Sequence, residues 1–243
     1  MSLGFGNVAR VGHLYPSGGL CDYEIQLMAP SGVQFLTTRL PFRNTGVSDD
    51  LALADDLEFH AGLLADAAVE LIAFNCTAAS MLIGPENIRR RILDSTGLPS
   101  VSTIEAVTDA LREVHATRIL LLNPYPRTVE SMEIQHFQDA GFNVVASRGP
   151  SCSTPVEQGS IPPQRWLEET MAFDFSSADA ILLSCAGTQS AAVHAQIEAA
   201  SGLPLITSNQ ALLWSVLREL GIDHDLPEYG KLLTATSRME CSL

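Results

Sequence analysis

The sequence predicts an α/β protein built as two similar doubly wound halves, each with a parallel sheet, related by a pseudo-twofold axis and enclosing a site in the cleft between them. Three observations predict it. Short apolar runs alternate with amphipathic stretches of helical length, the pattern of buried parallel strands covered by helices on both faces. A fixed order of landmarks recurs after a little under half the chain. Each copy of that order sets a cysteine directly after an apolar run.

The strand-like runs are 11–15, 33–38, 70–75, 100–102, 118–122, 143–146, 180–184 and 205–207. Helical periodicity falls between them, over 51–68, 86–95, 104–114, 129–140, 190–200 and 210–220. The repeat is read from matching segments. Ala73-Phe74-Asn75-Cys76-Thr77-Ala78 leads to Thr96-Gly97-Leu98-Pro99, Val101-Ser102-Thr103 and Leu111-Arg112-Glu113. Leu182-Leu183-Ser184-Cys185-Ala186-Gly187 leads in the same order to Ser201-Gly202-Leu203-Pro204, Ile206-Thr207-Ser208 and Leu217-Arg218-Glu219. Landmarks recur 105 to 109 positions later: Arg10 to Arg118, Pro16 to Pro124, Cys76 to Cys185, Pro99 to Pro204 and Arg112 to Arg218. The chain of 243 residues is thereby divided into a first half of 1–102 plus 208–243 and a second half of 103–207.

Composition narrows the function. With 46% hydrophobic and 17% charged residues the chain is too apolar for disorder. Lys and Arg number 14 against 28 Asp and Glu, a net charge of −14 that repels a phosphate backbone, so nucleic acid is excluded as a partner. No apolar run reaches the roughly 20 residues that span a bilayer, and the first ten residues lack a signal-peptide core. A cytoplasmic protein without a membrane partner is expected. The five cysteines, Cys21, Cys76, Cys152, Cys185 and Cys241, are odd in number and lack C-x-x-C pairs, which argues against both a disulfide framework and a metal site. Gly4 to Ala9 fits G-x-G-x-x-A but precedes the first strand instead of following it, and P-loop, H-E-x-x-H and G-x-S-x-G motifs do not occur. No cofactor is expected. The six histidines are dispersed, with His13 inside the first strand, and Arg89-Arg90-Arg91 reads as a solvated helix face.

Cys76 and Cys185 stand apart from the other three. Each follows a strand and precedes a helix, at the carboxyl edge where open α/β sheets bind ligands. A helix N-terminus there would draw the thiol pKa down toward neutrality, and its free N–H groups would bind a carboxylate. If the halves face each other, two thiols flank one small anion. Cys21, Cys152 and Cys241 are read as packing residues. Thr207-Ser208-Asn209-Gln210 is read as a helix cap.

These motifs resemble the aspartate/glutamate/hydantoin racemase superfamily, whose two α/β halves each supply a cysteine to the interdomain cleft. L-Y-P-S-G-G at 14–19, N-C-T-A at 75–78, L-N-P-Y at 122–125 and L-L-S-C-A-G at 182–187 resemble its maleate cis-trans isomerase and arylmalonate decarboxylase branch. The resemblance implies Cys76 and Cys185 as the catalytic pair. It implies Pro16, Ser17, Gly18, Thr77, Ala78, Tyr125, Ala186, Gly187 and Thr188 as substrate contacts. The sequence departs from that branch in three places. The decarboxylase carries glycine where Cys76 stands and serine where Ala78 stands, and the isomerases typically carry P-S-S-N where this chain has Pro16-Ser17-Gly18-Gly19.

Two opposed thiols support two chemistries. One removes a proton from a carbon acid while the other delivers one to the opposite face. Alternatively, one adds as a nucleophile to a cis double bond, and rotation and elimination yield the trans product. The expected activity is cofactor-independent isomerisation of a small carboxylate or dicarboxylate, of the maleate cis-trans type. Racemisation of an amino acid or hydantoin and arylmalonate-type decarboxylation are alternatives. A carboxylate-binding protein without turnover is the alternative of another class. The oligomeric state is left open, although apolar surface helices in such folds often form dimers.

Overall fold

A computed structural model describes residues 4–234; Cys241 lies outside them. The chain runs β1 (Ala9–Pro16), α1 (Asp22–Met28), β2 (Val33–Leu40), α2 (Val47–Ala52), α3 (Leu57–Ala65), β3 (Leu71–Phe74), α4 (Thr77–Ile83), α5 (Pro85–Thr96), β4 (Ser100–Ser102) and α6 (Thr103–Glu113). It continues through β5 (Arg118–Leu122), α7 (Arg127–Asp139), β6 (Asn143–Arg148), α8 (Pro155–Gly159), α9 (Pro163–Met171), β7 (Ala180–Leu183), α10 (His194–Ser201), β8 (Leu205–Thr207) and α11 (Ser208–Glu219).

The strands form two parallel four-stranded sheets, ordered β2-β1-β3-β4 and β6-β5-β7-β8. The register repeats with the order. Leu14 faces Phe74 and Phe74 faces Ser102 in the first sheet; Leu122 faces Leu183 and Leu183 faces Thr207 in the second. The inner strands β3 and β7 are buried at every residue, whereas the edge strand β6 is open to solvent along its length. Burial on both faces is why the central strands read as unbroken apolar runs.

Between the sheets lie α6 and α11, which pack on each other and each touch β4 and β8. Their apolar faces join Val11, Leu71 and Ala73 of the first sheet to Ile119, Leu121 and Leu182 of the second in one continuous core. Two further clusters fill the outer sides, around Leu57, Leu64 and Ile72 in the first half and Trp166, Ile181 and Ile197 in the second. Among the described residues no helix is long and apolar enough to cross a membrane.

The strands at 100–102, 118–122 and 205–207 lie where the sequence places them. The helix expected over 51–68 is instead two, α2 and α3, separated at Leu53 to Asp56. Acidic residues disfavour a helix C-terminus and favour the next N-terminus, so Asp55 and Asp56 mark a break that apolar periodicity alone does not register. The stretch 190–200 opens as a 3-10 turn, Ala191–Val193, before α10 begins. A helix directly after Cys185 is therefore absent, and only Cys76 of the two precedes one.

The shared core between the sheets should be the main store of stability. Leu111 is fully buried on α6. Leu111→Ala should cost about 2–5 kcal/mol in urea denaturation. A loss under about 1 kcal/mol would show that the two halves do not rest on a packed core.

Candidate active site

In each sheet the strand order reverses between the first and third strands, β1 and β3 or β5 and β7, and the chain leaves their carboxyl ends into a crevice. The two crevices meet in one narrow cavity of about 30 Å³, lined by Tyr15, Pro16, Gly19, Phe42, Thr45, Asp50, Cys76, Thr77 and Ala78 from the first half. Tyr125, Pro126, Val129, Pro155, Gln158, Cys185, Ala186 and Gly187 line it from the second.

Cys76 is the N-cap residue of α4, with extended backbone. Its thiol donates to Asp50 Oδ1 at 3.9 Å. Cys185 sits in a different backbone state, at φ 148°, a region that favours glycine and costs a side-chain-bearing residue about 1–3 kcal/mol. Its N–H is held by Ser208 Oγ at 2.9 Å, and its carbonyl accepts from Thr188 Oγ1 at 2.9 Å. This conformation brings the Gly187 N–H to 3.3 Å from the Cys185 sulfur, while the thiol donates to Gln158 Oε1 at 3.6 Å.

The sulfur environments are related by the repeat. Asp50 and Gln158 lie 108 positions apart, on the equivalent short helices α2 and α8. Each sulfur thus meets an oxygen from the same structural position in its own half. One oxygen belongs to an ionisable carboxyl and the other to an amide.

The expectation of thiol pKa values drawn down by helix N-termini is overturned. Burial pushes the Cys76 thiol well above its ordinary value, with Asp50 adding to the rise and the Ala79 N–H opposing it. Burial also raises Cys185, against the opposing pull of the Gly187 N–H and the Tyr125 hydroxyl. In a closed pocket without a nearby cation, desolvation of the thiolate outweighs the partial charge of one helix end. Burial raises Asp50 to about 7, helped by Asp49 and opposed by the hydrogen bond from Cys76. The resting site is close to neutral.

Of the residues the sequence singles out, the cavity brings together Cys76, Cys185, Pro16, Thr77, Ala78, Tyr125, Ala186 and Gly187. Ser17, Gly18 and Thr188 are not among its lining residues. Ser17 and Gly18 bind the Phe42 backbone instead: Ser17 Oγ accepts from the Phe42 N–H at 2.9 Å, and the Gly18 N–H donates to the Phe42 carbonyl at 3.0 Å. A Cβ on Gly18 would approach that carbonyl to 2.6 Å, so glycine is required there for loop closure. The Thr188 hydroxyl is turned back to Cys185, as above. His13 is fully buried beneath the site, bonded to Thr37 and Asn75. Cys21 and Cys152 are buried free thiols, but Cys21 also donates to the Gly187 carbonyl at 3.2 Å and so supports the Cys185 turn. Asp50 and Gln158 escape individual notice in the sequence because five- and six-residue helices carry no readable periodicity.

Behind the cavity the two cysteine turns are joined by buried polar bonds. Ser208 Oγ, which holds the Cys185 N–H, also pairs with Thr77 Oγ1 at 2.8 Å. Asn209 accepts from Asn75 Nδ2 at 2.9 Å, and its own amide donates to the Ala186 carbonyl at 3.2 Å and to Glu24 Oε2 at 2.6 Å. Thr207 and Gln210 form a reciprocal capping box around these residues, as the sequence suggests. Under the second turn, Glu133 accepts from Asn123 Nδ2 at 2.9 Å and from the Ser184 hydroxyl. Asn123 in turn accepts from the Tyr125 N–H at 3.1 Å.

Comparison with known proteins agrees with this fold. A sequence model described as arylmalonate decarboxylase matches residues 14–233. The chain belongs to the arylmalonate decarboxylase family. Among curated relatives it is 28% identical to a maleate isomerase of Nocardia farcinica, over 97% of this chain and 99% of that one. It is 25% identical to a maleate isomerase of Geobacillus stearothermophilus, over 93% and 97%. A solved structure similar in fold is a cysteine-to-serine mutant of Nocardia farcinica maleate cis-trans isomerase with a covalently bound succinylcysteine intermediate. It superposes with TM-score 0.87 at 22% identity, covering 92% of this chain and 97% of that one.

Glu133 gives the site a pH-dependent support. Burial raises its carboxyl to about 8, opposed by the bonds from Ser184 and Asn123. Its unfolded pKa is about 4.3, so between those values the folded chain holds a proton that the unfolded chain has lost. The resulting contribution to stability is full below about pH 4.3 and is lost as pH rises through about 8. Glu133→Gln retains the neutral shape without the titration. Its stability relative to the natural protein, measured by urea denaturation, should rise steadily from pH 5 to pH 8. A difference that stays constant across that range would show that Glu133 is ionised in the fold.

Proposed function

We propose that the protein is a cofactor-independent cis-trans isomerase acting on a small cis-enedioate of the maleate type, with Cys76 and Cys185 as the reacting pair. The observation that carries this reading is that the two thiols, each from the switch point of its own sheet, line one cavity. A thiolate adds to one alkene carbon, converting the double bond into a single bond about which the substrate rotates. The second thiol gives a proton to the adjacent carbon and later takes one back. Expulsion of the first sulfur then leaves the trans product.

Negative charge builds on the substrate carboxylate as the sulfur adds. Neutral groups lining the cavity would meet it, the Tyr125 hydroxyl and the backbone at Thr77, Ala78, Ala186 and Gly187. Such donors in a water-poor site contribute a few kcal/mol each to the transition state. The two maleate isomerases matched along nearly the whole chain support this reading, as does the cysteine adduct seen in one relative. Retention of a thiol at Cys76 supports isomerisation over decarboxylation.

The test is incubation with maleate in D₂O followed by proton NMR, with fumarate as the expected product. Cys76→Ala and Cys185→Ala should each lower kcat by about 10³-fold or more. Parallel incubations with amino acids, hydantoins and an arylmalonate separate the alternatives. Deuterium at the α-carbon with loss of chirality marks a racemase, and loss of carbon dioxide marks a decarboxylase. Tight carboxylate binding without turnover of any of these marks a binding protein.

A further inference from the structure

We infer that Asp50 is a further catalytic residue of the proposed reaction, the proton acceptor for Cys76 as that sulfur attacks. The inference deepens the isomerase reading and rests on it for the identity of the substrate. Its ground is the broken symmetry of the two sulfur environments.

Each thiol donates to an oxygen supplied by the equivalent short helix of its own half, Asp50 Oδ1 for Cys76 and Gln158 Oε1 for Cys185. A carboxylate takes up a proton; a carboxamide oxygen at this basicity does not. Cys76 therefore has a base within reach and Cys185 has none of that kind. Both sulfurs receive a backbone donor, the Ala79 N–H at Cys76 and the Gly187 N–H at Cys185, and Cys185 also meets the Tyr125 hydroxyl. The difference that remains is the proton acceptor, which only Cys76 of the two has.

The step balances without any further reactant. The Cys76 S–H bond breaks, with its proton passing to Asp50 Oδ1, while Sγ bonds to one alkene carbon. The π electron pair moves to the neighbouring carbon, which takes the proton of Cys185. After rotation, the Cys185 thiolate recovers that proton, the C–S bond breaks, and Asp50 returns the first proton to Cys76.

Ionisable groups around Asp50 make its state sensitive to pH near neutrality. Asp49 lies on its own helix, Cys76 stands on the turn before α4, and Tyr125 and Cys185 line the same cavity. The packed helix α4, Thr-Ala-Ala-Ser-Met-Leu-Ile, contributes no ionisable side chain. Burial and Asp49 place the Asp50 carboxyl at about 7, close to the pH at which a general base is most effective.

The experiment follows iodoacetamide labelling of Cys76 and Cys185 by peptide mass spectrometry from pH 5.5 to 9, alongside turnover of maleate. In the natural protein, Cys76 labelling and kcat should both rise through an ionisation near pH 7. Asp50→Asn should slow Cys76 labelling at pH 7.5 by about tenfold or more and change Cys185 labelling by less than about twofold. It should lower kcat by about 10²-fold, leave KM within about threefold, and abolish the limb near pH 7. Asp50→Glu should restore part of both rates and keep the limb, and if Asp50→Asn does not fold the limb in the natural protein and its shift in Asp50→Glu carry the test. Faster Cys76 labelling in Asp50→Asn would overturn the inference, because a carboxylate that merely repels the thiolate predicts that result. Absence of the limb in the natural protein would also overturn it. If maleate is not turned over but labelling behaves as expected, the substrate assignment falls and the Asp50–Cys76 pair stands.

Discussion

The structure depends on holding two strand ends from separate sheets a small molecule's width apart. Transfer of sulfur and proton to one substrate requires reacting atoms about 3–3.5 Å from their targets, and misplacement by an ångström costs orders of magnitude in rate. The apolar packing of α6 against α11 sets the distance between the sheets. The start of α11 sets the finer alignment. Ser208 reaches Thr77 on one side and the Cys185 N–H on the other, and Asn209 reaches Asn75 and the Ala186 carbonyl. These bonds are buried, so a partner lost there leaves an unsatisfied group at a cost of about 1–3 kcal/mol. A helix from the end of the chain thereby joins two turns that are 109 positions apart in sequence, Cys76 to Cys185.

The two halves are built alike, and their cysteine turns differ. After β3 the chain turns at once into α4, whereas after β7 it makes an open turn and reaches α10 only at His194. The first arrangement leaves Cys76 in relaxed extended backbone. The second forces Cys185 to φ 148° and folds the Gly187 N–H back onto its own sulfur. Glu24 and Glu133 show a similar divergence from equivalent helices. Glu133 stays within its half, under Ser184, while Glu24 crosses to the Ala191 N–H at 2.8 Å. The crossing is asymmetric because the open turn after Cys185 leaves backbone donors that α4 would otherwise consume.

What the sequence discloses follows from which forces are local. The strands, their repeat and the two cysteines were legible because burial on both faces writes apolar runs directly into the chain, and Cys76 and Cys185 sit at fixed offsets from them. Tyr125 was legible through its motif rather than its spacing. Asp50 and Gln158 were not individually legible, since their meaning lies in proximity to a sulfur created by tertiary packing. The break between α2 and α3 was hidden because Leu53 and Leu57 both face the core, so apolar spacing continues across the gap. The thiol pKa values went the other way from expectation for a physical reason. A helix end acts as about half a charge that falls off within one turn, while burial removes the whole hydration of a thiolate.

That last point bears on how an acidic protein handles an anionic substrate. Among the described residues no Lys or Arg lines the cavity, and the chain carries a net charge of −14. An ionised thiolate and an ionised Asp50 waiting there together would oppose a dicarboxylate at close range, where a unit charge pair at 4 Å interacts by about 4 kcal/mol at an effective dielectric of 20. Burial removes much of that opposition by keeping both thiols protonated and Asp50 near its midpoint. In the proposed reaction a dicarboxylate would then meet protonated thiols and an Asp50 only partly ionised. Thiolate character would arise as the sulfur attacks, with proton transfer and bond formation coupled, so that the negative charge would be delocalised into the adduct instead of standing beside the carboxylates. A positively charged pocket would bind the dianion more strongly in the ground state and product alike, which lowers KM without raising kcat. The neutral, buried pair reserves its interactions for the point at which charge develops.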